Sequence, residues 1–196
     1  MEILSKILGN PARVKIMRLF LLNRGKVFTT KDVIKRSRVN PSLVRKELKL
    51  LSSVNFIKKR AKVSLGWSFN SLFKYREEFE ELLVRSDTLN TQSILDNFKK
   101  AGRAKLIIIS GVFIKNHESR VDLLIVGNKL KKGRIEEGIK KIEAEIGAEL
   151  IYAVFDTKEF LYRLNMYDKL VRDILDYPHE VILQSKELST QALKKI

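Results

Sequence analysis

The stretch from Asn40 to Arg60 holds the residues whose types and spacing best suit binding to a polyanion. Polar and cationic side chains recur there at intervals of three and four residues: Ser42, Arg45, Lys46 and Lys49. At helical periodicity this spacing places all four on one face. A basic run follows at once, Lys58-Lys59-Arg60 and then Lys62. A helix with a basic face, followed by a basic strand, suits the major groove of DNA, and a solvated surface helix is the alternative.

The elements that must position these side chains are visible in the same stretch. Asn40 suits an N-cap, and Pro41 suits the first helical position. Val44, Leu48 and Leu51 form one apolar stripe, so the pattern predicts a helix over 41–54. Neighbouring patterns predict helices over 1–9, 11–22 and about 30–39, with a cap at Thr29 or Thr30, and extended segments over 56–62 and 65–69.

The three predicted helices between residues 11 and 54, followed by a basic hairpin, have the order of a winged helix-turn-helix. The segment 10–57 resembles the winged-helix repressors of the ArsR and MarR type in its NPARVKIMRLFL opening, its 44/48/51 spacing and its Phe56-Ile57 pair. The resemblance implies that 41–54 is a recognition helix. It implies that 56–69 is a wing whose cations, Lys58, Lys59, Arg60 and Lys62, reach phosphates or a neighbouring groove. Asn55 stands where the family often has Gly, and Asn tolerates the same left-handed conformation.

The charge of the chain is concentrated in its first third. Residues 1–70 carry 17 Lys and Arg against 3 acids, a net charge of +14, whereas the remaining residues carry 22 against 20, a net charge of +2. A basic segment with a regular apolar pattern indicates a folded surface for a polyanion rather than a disordered tail.

The spacing of apolar residues within 71–86 predicts an amphipathic helix whose apolar side chains are Leu72, Phe79, Leu82 and Leu83. Such a helix could pair two subunits or pack on the second half of the chain. The following segment, 86–91, is the predicted linker, which divides the chain into domains at 1–86 and 91–196. The second domain alternates strands, at 104–110, 121–126, 149–155 and 180–184, with helices, at 92–101, 131–146, 157–164 and 167–176. This alternation predicts an α/β or α+β layered domain with a mixed sheet.

The second domain resembles the small nucleotidyltransferases of the DNA polymerase β superfamily. The likeness lies in Ile107–Phe113 and in Ser119–Val126. In that family a Gly-Ser pair follows the first strand, and two acids one residue apart hold Mg²⁺ against nucleotide phosphates.

This chain departs from the family pattern in the positions that hold the metal. After Gly111, Val112 stands in place of the phosphate-binding Ser, and Arg120 stands in place of the first acid, so that only Asp122 remains of the pair. Arg120 can pair with Asp122, and a guanidinium repels Mg²⁺. We therefore expect a degenerate nucleotide site, with no catalytic residues, no metal and no cofactor.

Other candidate sites are weaker. Lys129, Lys131, Lys132 and Arg134 could hold an anion near a helix start or form a solvated loop. Without Cys, and with His117 and His179 as its two histidines, the chain has no zinc motif or hydrolase triad. The absence of a long apolar run or signal peptide leads us to expect a cytoplasmic protein without a membrane partner.

The leading hypothesis is a transcriptional regulator that binds double-stranded DNA. Its second domain would serve for homodimerisation or for sensing a protein partner or a nucleotide-like effector. The first alternative is an active nucleotidyltransferase targeted by a winged helix, and the second is an antitoxin-like protein-interaction adaptor.

Overall fold

A computed structural model describes residues 3–60, 65–85, 91–116 and 118–188. The chain is a mixed α/β protein that separates into two compact units. The first unit comprises Met1–Thr88 with Lys140–Glu149, and the second comprises Leu89–Ile139 with Leu150–Ile196. The sequence-based division assigned 140–149 to the second domain, so the two divisions differ there. The predicted linker falls almost wholly on residues 86–90, outside the described residues.

The first unit begins with four helices followed by two antiparallel strands. These are α1 (Ile3–Ile7), α2 (Pro11–Leu22), α3 (Thr30–Ser37), α4 (Pro41–Ser53), β1 (Ile57–Arg60) and β2 (Gly66–Phe69). The predicted helices and strands are confirmed to within a few residues at the described ends. Asn10, Thr29 and Asn40 each accept a backbone N–H at the start of a helix. The caps at Asn40 and Thr29 were predicted, whereas the cap at Asn10 was not.

The cap of α3 is a reciprocal one. The Thr29 hydroxyl accepts from the Asp32 N–H at 3.2 Å, and the Asp32 carboxylate accepts from the Thr29 N–H at 2.9 Å. The side-chain and backbone hydrogen bonds from Thr29, together with the nearby charges of Arg36 and Lys35, lower the pKa of Asp32 below its ordinary value. The ionised cap stabilises the start of α3, the helix that precedes the basic helix in the chain.

The sequence analysis missed one pairing in this unit. Phe28 forms a β-bridge with Trp67, through Phe28 N–H to Trp67 C=O at 2.9 Å and Trp67 N–H to Phe28 C=O at 2.8 Å. β2 therefore has neighbours on both sides, with β1 on the other. A two-residue extended segment, Val27-Phe28, is too short to give a strand signal in the sequence.

The predicted helix over 71–86 needs correction. Residues 71–75 form turns, the helix α5 covers Arg76–Glu80, and a π-helical turn follows at Glu81–Arg85. Leu83 is buried, but Leu72 is 86% exposed and Leu82 is 43% exposed. Only part of the predicted apolar face therefore packs on the core, because the chain enters the helix one turn later than the periodicity suggested.

The second unit is built around a four-stranded mixed sheet in the order β5-β4-β3-β6. Its strands are β3 (Arg103–Ile109), β4 (Leu123–Asn128), β5 (Tyr152–Asp156) and β6 (Glu180–Gln184). β4 is antiparallel to β3 and parallel to β5, while β6 is antiparallel to β3. In β4 and in the second half of β3, the side chains on both faces of the sheet are buried, which explains the continuous apolar runs of these strands.

Four helices accompany this sheet, and 3₁₀ turns follow β3 at Gly111–Phe113 and β6 at Lys186–Leu188. The helices are α6 (Thr91–Phe98), α7 (Lys132–Ile146), α8 (Thr157–Asn165) and α9 (Lys169–Asp176). Phe160, Leu164, Val171 and Ile174 from α8 and α9 pack with Leu106 and Leu124 on one sheet face. One boundary between the units falls within α7, because its residues from Lys140 onward belong to the first unit. Among the described residues, no helix is long and apolar enough to cross a membrane.

Candidate nucleic-acid interface

The helix α4 has one buried face and one exposed, cationic face. Val44, Leu48 and Leu51 are each at most 2% exposed and belong to the core of the first unit. The predicted binding residues are all exposed: Ser42, Arg45, Lys46 and Lys49. None of the three cations forms an ion pair with a residue that the structure describes. Three exposed cations on one helical face can bind phosphates or donate hydrogen bonds to base edges.

Glu47 is the one acidic residue of α4, and the structure turns it away from this face. It is 1% exposed, and its carboxylate accepts from Arg13 Nε at 2.8 Å and from Asn10 Nδ2 at 2.9 Å. Arg13 also donates to the Leu8 carbonyl at 2.9 Å. The burial of Glu47 therefore does two things: it removes the negative charge from the basic face and it ties α4 to the start of α2.

Arg38 is a further cation that the sequence analysis did not single out. It lies exposed in the short turn between α3 and α4, with a positive φ of 53°, and its backbone N–H donates to the Ile34 carbonyl. Among the described residues it has no acidic partner. A basic residue directly before the cap of a basic helix was the available signal.

The strand pair β1–β2 divides the predicted wing cations between two faces. Lys59 lies opposite Trp67, whereas Lys58 and Arg60 lie opposite Ser68 and Gly66 on the other face. Lys59 and Arg60 are exposed and Lys58 is half-buried. Arg60 Nε donates to the Ser68 hydroxyl at 3.3 Å, which holds its side chain along the strand pair. Lys62, the fourth predicted wing cation, lies outside the described residues.

The segment Lys140–Glu149 packs closely on α2 within the first unit. Gly147 has a φ of +90°, and a Cβ on it would lie 2.6 Å from the Leu19 nitrogen. Asn23 Nδ2 donates to the Gly147 carbonyl at 2.8 Å. Arg18, 1% exposed, donates from Nε to the Leu83 carbonyl at 2.7 Å and from Nη1 to the Glu145 carbonyl at 3.3 Å.

Salt bridges add to the attachment of this segment. Lys15 pairs with Glu145 at 2.6 Å, and Arg36 of α3 pairs with Glu149 at 2.9 Å. The contacts therefore reach α2 and α3, two of the helices that precede α4. This segment completes the body that carries α4, since without it the buried Arg18 would lose one of its carbonyl partners.

The predicted degenerate nucleotide site is held together by Asp122. Its Oδ1 accepts from the Val112 N–H at 2.8 Å and its Oδ2 accepts from the Ile151 N–H at 2.8 Å. Gly111 has a φ of +55°, and a Cβ there would lie 2.0 Å from Asp122 Oδ1. Gly111 is therefore required both for its backbone conformation and for its contact with this carboxylate. Both oxygens of Asp122 are engaged in joining the turn after β3 to the start of β5.

The expected pairing of Arg120 with Asp122 is wrong. Arg120 Nε instead forms an ion pair with Asp173 of α9, and Asp122 accepts hydrogen bonds from two backbone N–H groups. Arg120 and Asp122 lie only two residues apart in the sequence. The actual partner of Arg120 comes from a helix about fifty residues later, which no local pattern could indicate. In the part of the chain that the structure describes, no three His, Asp or Glu side chains are grouped to hold a metal ion.

Comparisons of this chain with protein-family models, with curated proteins and with solved structures gave no match.

Proposed function

We propose that the chain is a DNA-binding transcriptional regulator whose first unit is a winged helix-turn-helix. The observation that supports this most directly is the exposed face of α4, where three cations form no ion pair with any acid that the structure describes, while Glu47 is buried. In this proposal α4 enters the major groove, and Arg45 and Lys46 approach base edges from its first half. The antiparallel strands β1 and β2 form the wing, and their cations contact phosphates.

The second unit, in the same proposal, is a nucleotidyltransferase-like module without transfer activity. Support comes from its mixed sheet and from Asp122, whose two oxygens are already used by backbone N–H donors. The cation Arg120 pairs with Asp173 and keeps a positive charge beside the position where the family holds Mg²⁺. Such a module would serve homodimerisation or the sensing of a protein partner or nucleotide-like effector.

The test of DNA readout compares two variants of the full chain on a preferred duplex, obtained by selection from random sequence, and on a scrambled duplex. Arg45→Ala should cost about 1–3 kcal/mol on the preferred duplex and reduce the preference for it, because a base-reading contact is lost. Lys59→Ala should weaken both duplexes about equally, because phosphate contacts carry no sequence information.

Arg172→Ala provides the matched control, since this Arg is exposed in the second unit and pairs with Asp176. It removes the same charge as Arg45→Ala and should leave the preference unchanged. Equal, sequence-independent losses from the Arg45 and Lys59 substitutions would remove the basis for readout by α4.

A further inference from the structure

The second unit carries a group of exposed cations at one end of its sheet. Two loops and the residues at their ends contribute them: residues 99–103, from the end of α6 to the first residue of β3, and residues 129–134, from the end of β4 into the first turn of α7. These eleven residues include seven Lys or Arg and no acid. Five of the cations, which we call the basic cluster, are Lys100, Arg103, Lys129, Lys131 and Lys132.

Close backbone packing brings the two loops of the basic cluster together. The Lys131 N–H donates to the Ala101 carbonyl at 2.7 Å. A Cβ on Gly102 would lie 2.6 Å from the Lys129 carbonyl oxygen, and one on Gly127 would lie 2.2 Å from the Arg103 carbonyl oxygen. Gly102 has a φ of +133° and Lys129 a φ of +53°. The two glycines, which have no side chain, and the left-handed backbone at Lys129 thus allow the two loops to pack together with their cations near one another.

The acids that lie nearest in the chain are Asp96, Glu136 and Glu137, and none of them forms an ion pair with a cation of the basic cluster. Asp96 pairs with Lys99 at 2.7 Å, and Glu137 pairs with Arg134 at 3.1 Å. The five cations of the cluster make no ion pair with any described residue. Elsewhere in the second unit several cations do have acidic partners, as Lys105 has Glu187 and Arg163 has Glu159. Like charges placed together without counter-charges repel one another, and a polyanion relieves that repulsion.

We propose that the basic cluster is a second contact surface for the phosphate backbone of duplex DNA. The cations of the cluster are exposed. A cavity of about 340 Å³ adjoins the cluster at Lys132, but Glu136 also lines it, and a carboxylate there disfavours a small anion. Leu130, the apolar residue within 129–134, is half-buried, so the loop offers no apolar anchor for a lipid surface. The choice of duplex DNA as the polyanion rests on the function proposed above, while the surface itself does not.

The experiment compares two triple variants of the full chain. The first, Lys129→Gln with Lys131→Gln and Lys132→Gln, removes three charges from the basic cluster. The second, Lys158→Gln with Lys169→Gln and Lys186→Gln, removes three charges from exposed lysines of the same unit outside the cluster. Binding of each variant to a duplex is measured over a range of salt concentrations, and unchanged melting temperatures show that both variants are folded.

If each cluster lysine neutralises one phosphate, the slope of log K against log salt should fall by about 2.7 in the first triple variant. The slope of the control variant should equal that of the wild-type chain. Equal changes in both variants, or no change in the first, would overturn the proposal. So would a first variant that loses binding to vesicles of anionic lipid but not to DNA.

The same titration separates this inference from the proposed function. If Arg45→Ala leaves the sequence preference unchanged while the cluster variant reduces the salt slope, readout by α4 fails and the basic cluster stands. The reverse pattern, a lost preference with an unchanged slope, retains the α4 interface and removes the cluster.

Discussion

The burial of a single residue, Glu47, leaves the exposed face of α4 positively charged. On sequence alone Glu47 interrupts a run of cations, and it could have carried its negative charge to the surface among them. The structure buries it against Arg13 and Asn10 instead. An ionised side chain inside a protein needs such partners, because water no longer solvates it. The exposed face of α4 keeps its full positive charge as a result.

We predict that Glu47→Gln lowers the free energy of unfolding by about 1–3 kcal/mol, because it leaves Arg13 without its counter-charge. The loss stays below that of a fully buried pair because the Arg13 side chain is 27% exposed. Trp67, the single Trp of the chain, lies in the first unit, so its fluorescence during urea unfolding follows that unit. The double variant with Arg13→Gln should lose less than the sum of the two single losses. Strict additivity would show that the pair is not coupled.

At the scale of the elements, the close contact between Gly147 and α2 leaves no room for a side chain. The residue has a left-handed backbone, and a Cβ added to it would lie 2.6 Å from the Leu19 nitrogen. The atoms nearest to that Cβ position are the Leu19 nitrogen and the carbonyl carbon and Cβ of Arg18, so there is no flexible side-chain end that could move aside. The segment Lys140–Glu149 therefore depends on this glycine to reach α2, and the helices before α4 depend on the segment for hydrogen bonds and salt bridges.

Gly147→Ala should destabilise the first unit by about 2–4 kcal/mol, the sum of backbone strain and a steric clash with α2. Gly25→Ala isolates the strain alone, because Gly25 has a φ of +80° and open space around it. That control should lose only about 1–2 kcal/mol. Trp67 fluorescence during urea unfolding measures both variants. Equal losses at the two glycines would mean that the approach to α2 contributes nothing.

Considered as a whole molecule, the chain joins a strongly basic first third to a second unit for which we propose a nucleotidyltransferase-like role without transfer activity. Catalysis of nucleotidyl transfer requires carboxylates that place metal ions against the transferring phosphate. Here a single carboxylate remains of the usual pair, and it accepts two backbone hydrogen bonds. Turning Asp122 toward a metal would leave the N–H groups of Val112 and Ile151 without their partners.

We predict that the full chain transfers no label from any ribonucleoside triphosphate to itself or to RNA in the presence of Mg²⁺ or Mn²⁺. A gel of the labelled reaction measures this directly, with an active nucleotidyltransferase as the positive control. Transfer that occurs in the wild-type chain and is lost in Asp122→Asn would contradict the prediction. The melting temperature of that variant must be measured too, because an amide nitrogen cannot accept the hydrogen bond that the carboxylate oxygen accepts.

What the sequence by itself determined was local: the helices and strands, their caps, the buried stripe of α4 and the uneven charge. These follow from interactions within a few residues, such as the Asn40 cap and the 44/48/51 spacing, so periodicity and residue type were enough to predict them. Even here Leu72 was misplaced, because a turn at 71–75 replaced the first part of a periodic helix.

Only the tertiary structure decided which distant residues meet. It paired Arg120 with Asp173, placed Glu47 against Arg13, and brought the loops 99–103 and 129–134 into one basic cluster. It also placed Gly147 on α2, more than a hundred residues earlier in the chain. The physical reason is that each contact depends on how whole elements pack, and the free energy that selects one packing is spread over the core, whereas sequence periodicity reports only which face of an element is buried.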